Sequence, residues 1–154
     1  MAEDYVLFSG VTIGSGSGPV VLSANLTPPD APTSGVLQTD NYSGSWYQTF
    51  SFLQLPSTDL YVLLHTNSGF YARVTGLEQP IQLQTFTAFD PSFYFTLGGQ
   101  GPQNLVIYSA LGNGLCVNVA GSNWQPGGAV IASTFVSGQA GMVWQFLPVD
   151  KHAT

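Results

Sequence analysis

Three times along this chain the same order of short apolar runs returns. Tyr5-Val6-Leu7, Tyr61-Val62-Leu63 and Leu105-Val106-Ile107 each open a unit, followed by a turn and a Gly that begins a second run. Two of these second runs read Asn67-Ser68-Gly69-Phe70-Tyr71-Ala72-Arg73-Val74-Thr75-Gly76 and Gly112-Asn113-Gly114-Leu115-Cys116-Val117-Asn118-Val119-Ala120-Gly121. Third runs follow as Val36-Leu37-Gln38-Thr39, Ile81-Gln82-Leu83-Gln84 and Val130-Ile131-Ala132-Ser133. Each unit closes on an aromatic pair two residues apart: Phe50/Phe52, Phe93/Phe95 and Trp144/Phe146. Residues two apart in a strand share a face, so these pairs are expected to point into one common core.

The runs are β-branched or aromatic, carry no helical period, and are punctuated by Gly, Pro, Asn and Ser, which specifies an all-β chain. Candidate strands are Tyr5–Phe8, Val20–Leu22, Val36–Thr39, Thr49–Leu53, Leu60–Leu64, Phe70–Val74, Ile81–Phe86, Phe93–Leu97, Leu105–Tyr108, Leu115–Val119, Ala129–Ile131 and Val143–Leu147. Twelve strands in three four-strand repeats fit a closed barrel with hairpins capping one end, an arrangement that removes exposed sheet edges. The 154 residues make one domain. Its repeats span approximately 5–58, 59–103 and 104–150, and a polar tail covers 151–154. The first repeat holds an insertion, Asn25 to Gly35, whose prolines cannot donate ladder hydrogen bonds, so an exposed loop is expected there.

Charged residues are only 6% of the chain against an ordinary ~25%, but 44% are hydrophobic and 13% aromatic, enough for a packed core. Eight acids face two bases, Arg73 and Lys151, for a net charge of −6. Nucleic acid and anionic membrane surfaces need clustered Lys and Arg, and two scattered bases exclude both as partners. The lone Cys116 permits no intramolecular disulfide and lies in a strand pattern, where it packs rather than attacks. Met1-Ala2-Glu3-Asp4 lacks the basic and apolar regions of a signal peptide, and no apolar run approaches a membrane span. A soluble, cytoplasmic protein without membrane insertion is therefore expected, and the sequon Asn41-Tyr42-Ser43 reads as coincidence.

Catalysis has little to stand on. The only histidines are His65, in a strand where a packed or edge role is expected, and His152 in the tail. There is no nucleophile elbow, the carboxylates occupy turns or termini, and no metal-ligand spacing appears. No enzyme activity, metal or cofactor is expected.

The third repeat carries a resemblance. Gly-Leu-Cys-Val-Asn-Val-Ala-Gly (114–121), then Gly128-Ala129-Val130, then Trp144-Gln145-Phe146 is similar to the ricin-B-type β-trefoil lectins, whose repeat runs Gly-(Leu/Lys)-Cys-Leu-Asp-Val-x-Gly, Gly-x-x-Val and Gln-x-Trp. The likeness covers the whole chain as repeats and is close in detail only in the third. Its single-domain form resembles the small mushroom lectins. The resemblance implies a β-trefoil with one sugar site per repeat: an Asp in the second strand, an aromatic platform after the third, and an Asn or Gln near the closing Gln-x-Trp.

Carried over position by position, the sites are eroded. In repeat three the Asp position is Asn118, the platform falls near Ala132 or Ser133 without a ring, and Met142 replaces the Gln, leaving Asn123 and Trp124 as a substitute partner and stack. Trp144 aligns with the family's core Trp. In repeat two the Asp position is Arg73, free to pair with Glu78 or Asp90, and the platform position is Gln84. In repeat one the Asp position is Leu22 or Ser23, so its role passes to Asp40. That repeat keeps Gln48-Thr49-Phe50 and the hairpin Asp40-Asn41-Tyr42-Ser43-Gly44-Ser45-Trp46-Tyr47, three aromatics among acceptors and donors in eight residues.

A neutral glycan is recognised by a ring on its apolar face and Asn, Asp or Gln on its hydroxyls. The candidate binding residues are thus Asp40, Asn41, Tyr42, Trp46, Gln48, Asn118, Asn123 and Trp124. The expected function is a non-enzymatic lectin for glycans and glycoproteins. Galactose or N-acetylgalactosamine is implied by resemblance only, with a homodimer as one source of multivalency. The alternative is a trefoil that has lost its sugar sites and serves protein contact, as a non-catalytic subunit or a protease inhibitor.

Overall fold

The computed structural model describes residues 4–9, 20–28, 30–43, 45–99, 105–120, 127–137 and 140–148. Its strands are β1 (Asp4–Ser9), β2 (Val20–Thr27), β3 (Ser34–Asn41), β4 (Phe50–Gln54), β5 (Tyr61–His65), β6 (Tyr71–Arg73), β7 (Gln82–Gln84), β8 (Phe95–Gly99), β9 (Leu105–Ser109), β10 (Leu115–Val119), β11 (Val130–Thr134) and β12 (Trp144–Pro148). Each expected strand is present. Three 3-10 turns, Trp46–Gln48, Pro91–Phe93 and Ala140–Met142, lead into the fourth strand of each repeat.

Antiparallel pairing runs β1–β4–β5–β8–β9–β12 and returns to β1, closing a six-stranded barrel. The closing pairs within repeats are Tyr5↔Phe50, Tyr61↔Phe95 and Leu105↔Trp144. They fix the internal register: Phe50, Phe95 and Trp144 are equivalent and lie 45 and 49 residues apart. The expected match of Phe93 with Phe50 and Trp144 is therefore corrected. Phe93 ends a 3-10 turn two residues earlier, in the place of Gln48 and Met142. Two aromatics at the same spacing had masked the offset.

The remaining strands form hairpins β2–β3, β6–β7 and β10–β11. They meet through main-chain bonds, Leu37 N–H to Ile81 C=O (2.9 Å) and Ile81 N–H to Val130 C=O (3.0 Å), with Thr39 bonded to Gly127 and Gly128. Leu37, Ile81 and Val130 are thereby equivalent, and their cross-strand partners on the first hairpin strands follow. The insertion in repeat one proves less of a loop than expected. β2 and β3 stay paired out to Thr27↔Ser34, so among the described residues only 28 and 30–33, with Pro28 and Pro32, lie outside the ladder.

Core layers follow the threefold register. Leu7, Leu63 and Ile107 form one layer; Phe50, Phe95 and Trp144 a second; Leu37, Ile81 and Val130 a third, all buried. Each such side chain contributes roughly 1.5–3 kcal/mol on burial. Trp144 adds a hydrogen bond from its indole Nε1–H to Val117 C=O at 3.1 Å, so its polar atom is satisfied inside the core. Among the described residues no helix is long and apolar enough to cross a membrane.

Truncating Trp144 removes packing and leaves the Val117 carbonyl without that donor. Trp144→Ala is expected to cost about 3–5 kcal/mol in urea unfolding. Phe89, 92% exposed, supplies the contrast: Phe89→Ser is expected to stay within about 0.5 kcal/mol of the parent.

Candidate functional site

β3 ends at Asp40 and Asn41, and the chain turns through Tyr42 and Ser43 before the 3-10 turn Trp46–Gln48. Gln48 is 1% exposed and clamps this turn from within. Its Nε2 donates to Asn41 C=O (2.8 Å), and its Oε1 accepts from Ser43 N–H (3.0 Å). Its amide is committed to backbone, so Gln48 shapes the loop rather than facing solvent. Asp40 Oδ1 accepts from Asn41 N–H at 2.8 Å, a local bond of the kind Asp makes in turns.

Above this frame Tyr42 is 53% and Trp46 42% exposed. Trp46 stacks on Tyr47 at 3.8 Å between ring centroids and leans on His65 at 5.8 Å. His65 is buried against Phe50. Its Nε2 lies 3.2 Å from Trp46 C=O and its Nδ1 2.7 Å from Ser68 Oγ. A carbonyl only accepts, so Nε2 carries the proton and Nδ1 accepts from the Ser68 hydroxyl. Burial lowers the His65 pKa below its ordinary 6.5, opposed by the backbone bonds at Trp46 and Tyr47. The packed role expected for His65 is observed, and it supports the loop that holds Trp46.

The threefold register places Ser23, Arg73 and Asn118 together, opposite Gln38, Gln82 and Ile131. It likewise matches Asp40 with Gln84 and Ser133. Two residues beyond each of these stands a ring: Tyr42, Phe86 or Phe135. The sequence reading, which put the platform at Gln84 and near Ala132 or Ser133, missed Phe86 and Phe135. Both rings fold inward, Phe86 onto Tyr71, Phe93 and Tyr94, and Phe135 onto Tyr108. Tyr42 differs in its exposure.

Repeat two has filled its place with a polar network. Arg73 Nε donates to Ser92 Oγ (2.9 Å) and Nη1 to Gln84 Oε1 (3.1 Å), while Nη2 lies 3.7 Å from the Asp90 carboxylate. Asp90 Oδ1 accepts from the Ser92 hydroxyl (2.6 Å) and N–H (3.0 Å), and these bonds hold its carboxyl below the usual range. Of the two expected partners for Arg73, Asp90 is the one in place.

In repeat three Asn118 Nδ2 donates to Ser133 Oγ (3.2 Å), and Ser133 Oγ donates to Glu78 Oε2 (3.4 Å). A Cβ on Gly141 would meet Asn118 Oδ1 at 2.8 Å and Val119 C=O at 3.0 Å, so a larger residue there would displace this amide. Asn123 and Trp124 lie outside the described residues. Cys116 is buried, and its thiol is pushed up to about 11 by desolvation, which keeps it protonated. Among the described residues no group of three His, Cys, Asp or Glu side chains could hold a metal ion.

Several solved structures share this fold. A designed threefold-symmetric protein, ThreeFoil, superposes at a TM-score of 0.78 with 17% identity, over 95% of this chain and 99% of its own. The Rhizoctonia solani agglutinin matches at 0.72 and 17%, over 97% and 96%. The C-terminal half of the earthworm R-type lectin, solved in complex with GalNAc, matches at 0.69 and 11%, over 96% and 99%. The fold is the β-trefoil. This β-trefoil also matches part of longer chains, among them an endo-β-galactosidase of which it spans 33%. No protein family matches the sequence, and neither does any curated protein.

Stability of this β-trefoil should depend on pH through His65. The folded state resists protonating the buried ring, while the unfolded chain takes the proton below about 6.5. Unfolding free energy is therefore expected to fall as pH drops from 7 to 5, with His65→Gln flattening that slope in urea titrations.

Proposed function

We propose that this β-trefoil is a non-enzymatic carbohydrate-binding protein that takes neutral glycans on the Asp40–Trp46 loop of its first repeat. One observation carries the reading: two partly exposed rings, Tyr42 and Trp46, follow Asp40 and Asn41 along a loop that Gln48 and His65 hold from below. A ring offers its face to the apolar side of a pyranose, and the carboxylate and amide serve its hydroxyls. Preforming the loop lowers the ordering cost of binding. The earthworm lectin half in complex with GalNAc supports a galactose or N-acetylgalactosamine ligand. A shallow site of this kind binds at about 0.1–1 mM, so useful avidity comes from several sites or a homodimer.

A second reading, protein contact as a non-catalytic subunit or protease inhibitor, is favoured by Phe89. This apolar ring stands almost wholly in solvent on a left-handed backbone (φ 65°), its N–H bonded to the Tyr94 hydroxyl at 2.9 Å. Aromatic side chains are enriched at protein interfaces, where a partner buries them.

A glycan array with labelled protein, followed by fluorescence titration of the best hit, separates the two. The glycan reading expects specific binding that weakens at least tenfold in folded Trp46→Ala and Asp40→Ala variants and is unchanged in Phe89→Ser. A blank array from folded protein would overturn it and leave protein contact as the reading to pursue.

A further inference from the structure

His65 is the one histidine among the described residues, and it lies wholly buried beneath the Trp46–Gln48 turn. Three elements cover its ring. Phe50 of β4 packs at 5.2 Å between centroids and Trp46 at 5.8 Å, while Ser68 of the β5–β6 turn places its hydroxyl 2.7 Å from Nδ1. The Trp46 carbonyl that accepts from Nε2 also accepts from Thr49 N–H at 3.3 Å, the bond that closes the 3-10 turn. The neutral ring thus links β5 to the turn that presents Trp46. Gln48 carries the link on to Asn41 and Ser43.

Protonation breaks this arrangement at Nδ1, which becomes a donor and can no longer accept. The Ser68 hydroxyl must then turn, and the acceptor left for its hydrogen is the His65 carbonyl at 3.4 Å. No charge offsets the new cation: among the described residues no carboxylate lies within ion-pair distance of the ring. Asp40, the carboxylate of the adjoining loop, bonds Asn41 N–H instead. β4 brings Phe50 and Ser51, the β5–β6 turn Asn67 and Ser68, and β5 itself carries Tyr61 at its far end. The titratable group of the 3-10 turn is the Tyr47 phenol, on the ring stacked against Trp46. A buried, unpaired cation is costly until water reaches it. Of the two covers, the β5–β6 turn is the firmer, since His65 N–H donates to Phe70 C=O (2.8 Å) and Gly69 N–H to His65 C=O (3.0 Å). The 3-10 turn starts from Ser45 without a side-chain cap and closes on its 3.3 Å bond. It is the cover that yields.

We propose that His65 makes the Trp46 loop acid-releasable: a proton on the ring lifts the Trp46–Gln48 turn, pulls Trp46 and Tyr42 out of their bound arrangement, and frees the glycan. The proposal rests on the glycan reading of this loop and adds its regulation. The uncovered ring takes its proton near the ordinary value of about 6.5, so the loop is closed above that pH and opens as the pH falls below it. Linkage is reciprocal: a sugar that binds the closed loop must lower the pH at which His65 titrates.

Amide and imidazole NMR of the full chain from pH 7.5 to 5, without sugar, tests the switch itself. Signals of 41–43 and 46–49 are expected to move with the His65 ring titration while those of β10 stay still. His65→Gln, whose neutral amide can still donate to Trp46 C=O, should hold the loop signals constant. Ser68→Ala, which removes the donor that favours the neutral ring, should move the transition to higher pH; the same spectra report whether each variant folds. Titration with galactose and N-acetylgalactosamine then tests the coupling. Affinity is expected to be about tenfold weaker at pH 5 than at pH 7.5, with no such difference in His65→Gln, and saturating sugar should lower the His65 midpoint. Loop signals indifferent to the ring titration, or equally responsive in His65→Gln, overturn the switch; so does equal affinity at both pH values, which leaves the glycan reading intact. Failure of both sugars to bind at pH 7.5 overturns the glycan reading and glycan release with it, whichever way the loop responds to acid.

Discussion

Three backbone pairs, Tyr5↔Phe50, Tyr61↔Phe95 and Leu105↔Trp144, carry the barrel closure on which the rest of the molecule depends. Each sets a large buried ring, Phe50, Phe95 or Trp144, at the start of a fourth strand. The preceding 3-10 turn is then pinned in position, and with it the loop that crosses from the third strand. With so few charges in the chain, electrostatics can do little of this work; burial and main-chain ladders do it. Trp144, whose indole reaches the Val117 carbonyl, ties the ring layer to the second strand of its repeat as well.

On this common backbone the three repeats have spent equivalent positions differently. Ser23, Arg73 and Asn118 share one place, and each side chain selects what its neighbours become. Arg73 draws Gln84, Ser92 and Asp90 into a closed network over Phe93. Asn118 would be displaced by a larger residue at Gly141 and leans on Ser133. Ser23 is small and buried, which leaves Asp40 and the two exposed rings of repeat one to define that surface.

Much of this fold was legible because strands of a trefoil are short, apolar and bounded by turn residues; all twelve could be read from the chain. Register was harder. Phe93 and Phe95 each satisfied a closing aromatic position, and only the pairing of Phe95 with Tyr61 decides between them. Phe86 and Phe135 escaped notice because loop lengths differ between repeats and no local pattern says which way a ring turns. Gln48 looked like a ligand group by its place in Gln-x-Phe, whereas its burial depends on the turn it closes. Glu78 was read as a partner for Arg73, since a contact between repeats leaves no trace in local spacing.

The joints of the hairpin cap have a consequence for how such chains can be rebuilt. Leu37 meets Ile81, and Ile81 meets Val130, through peptide groups rather than side chains. A seam of this type is indifferent to sequence at its polar contacts and asks only for apolar filling beneath it. The main-chain seam is therefore compatible in principle with a chain carrying the first repeat three times, which would display three identical loops around one axis. In such a molecule any ligand that this loop engaged would meet three copies of it at a spacing set by the barrel.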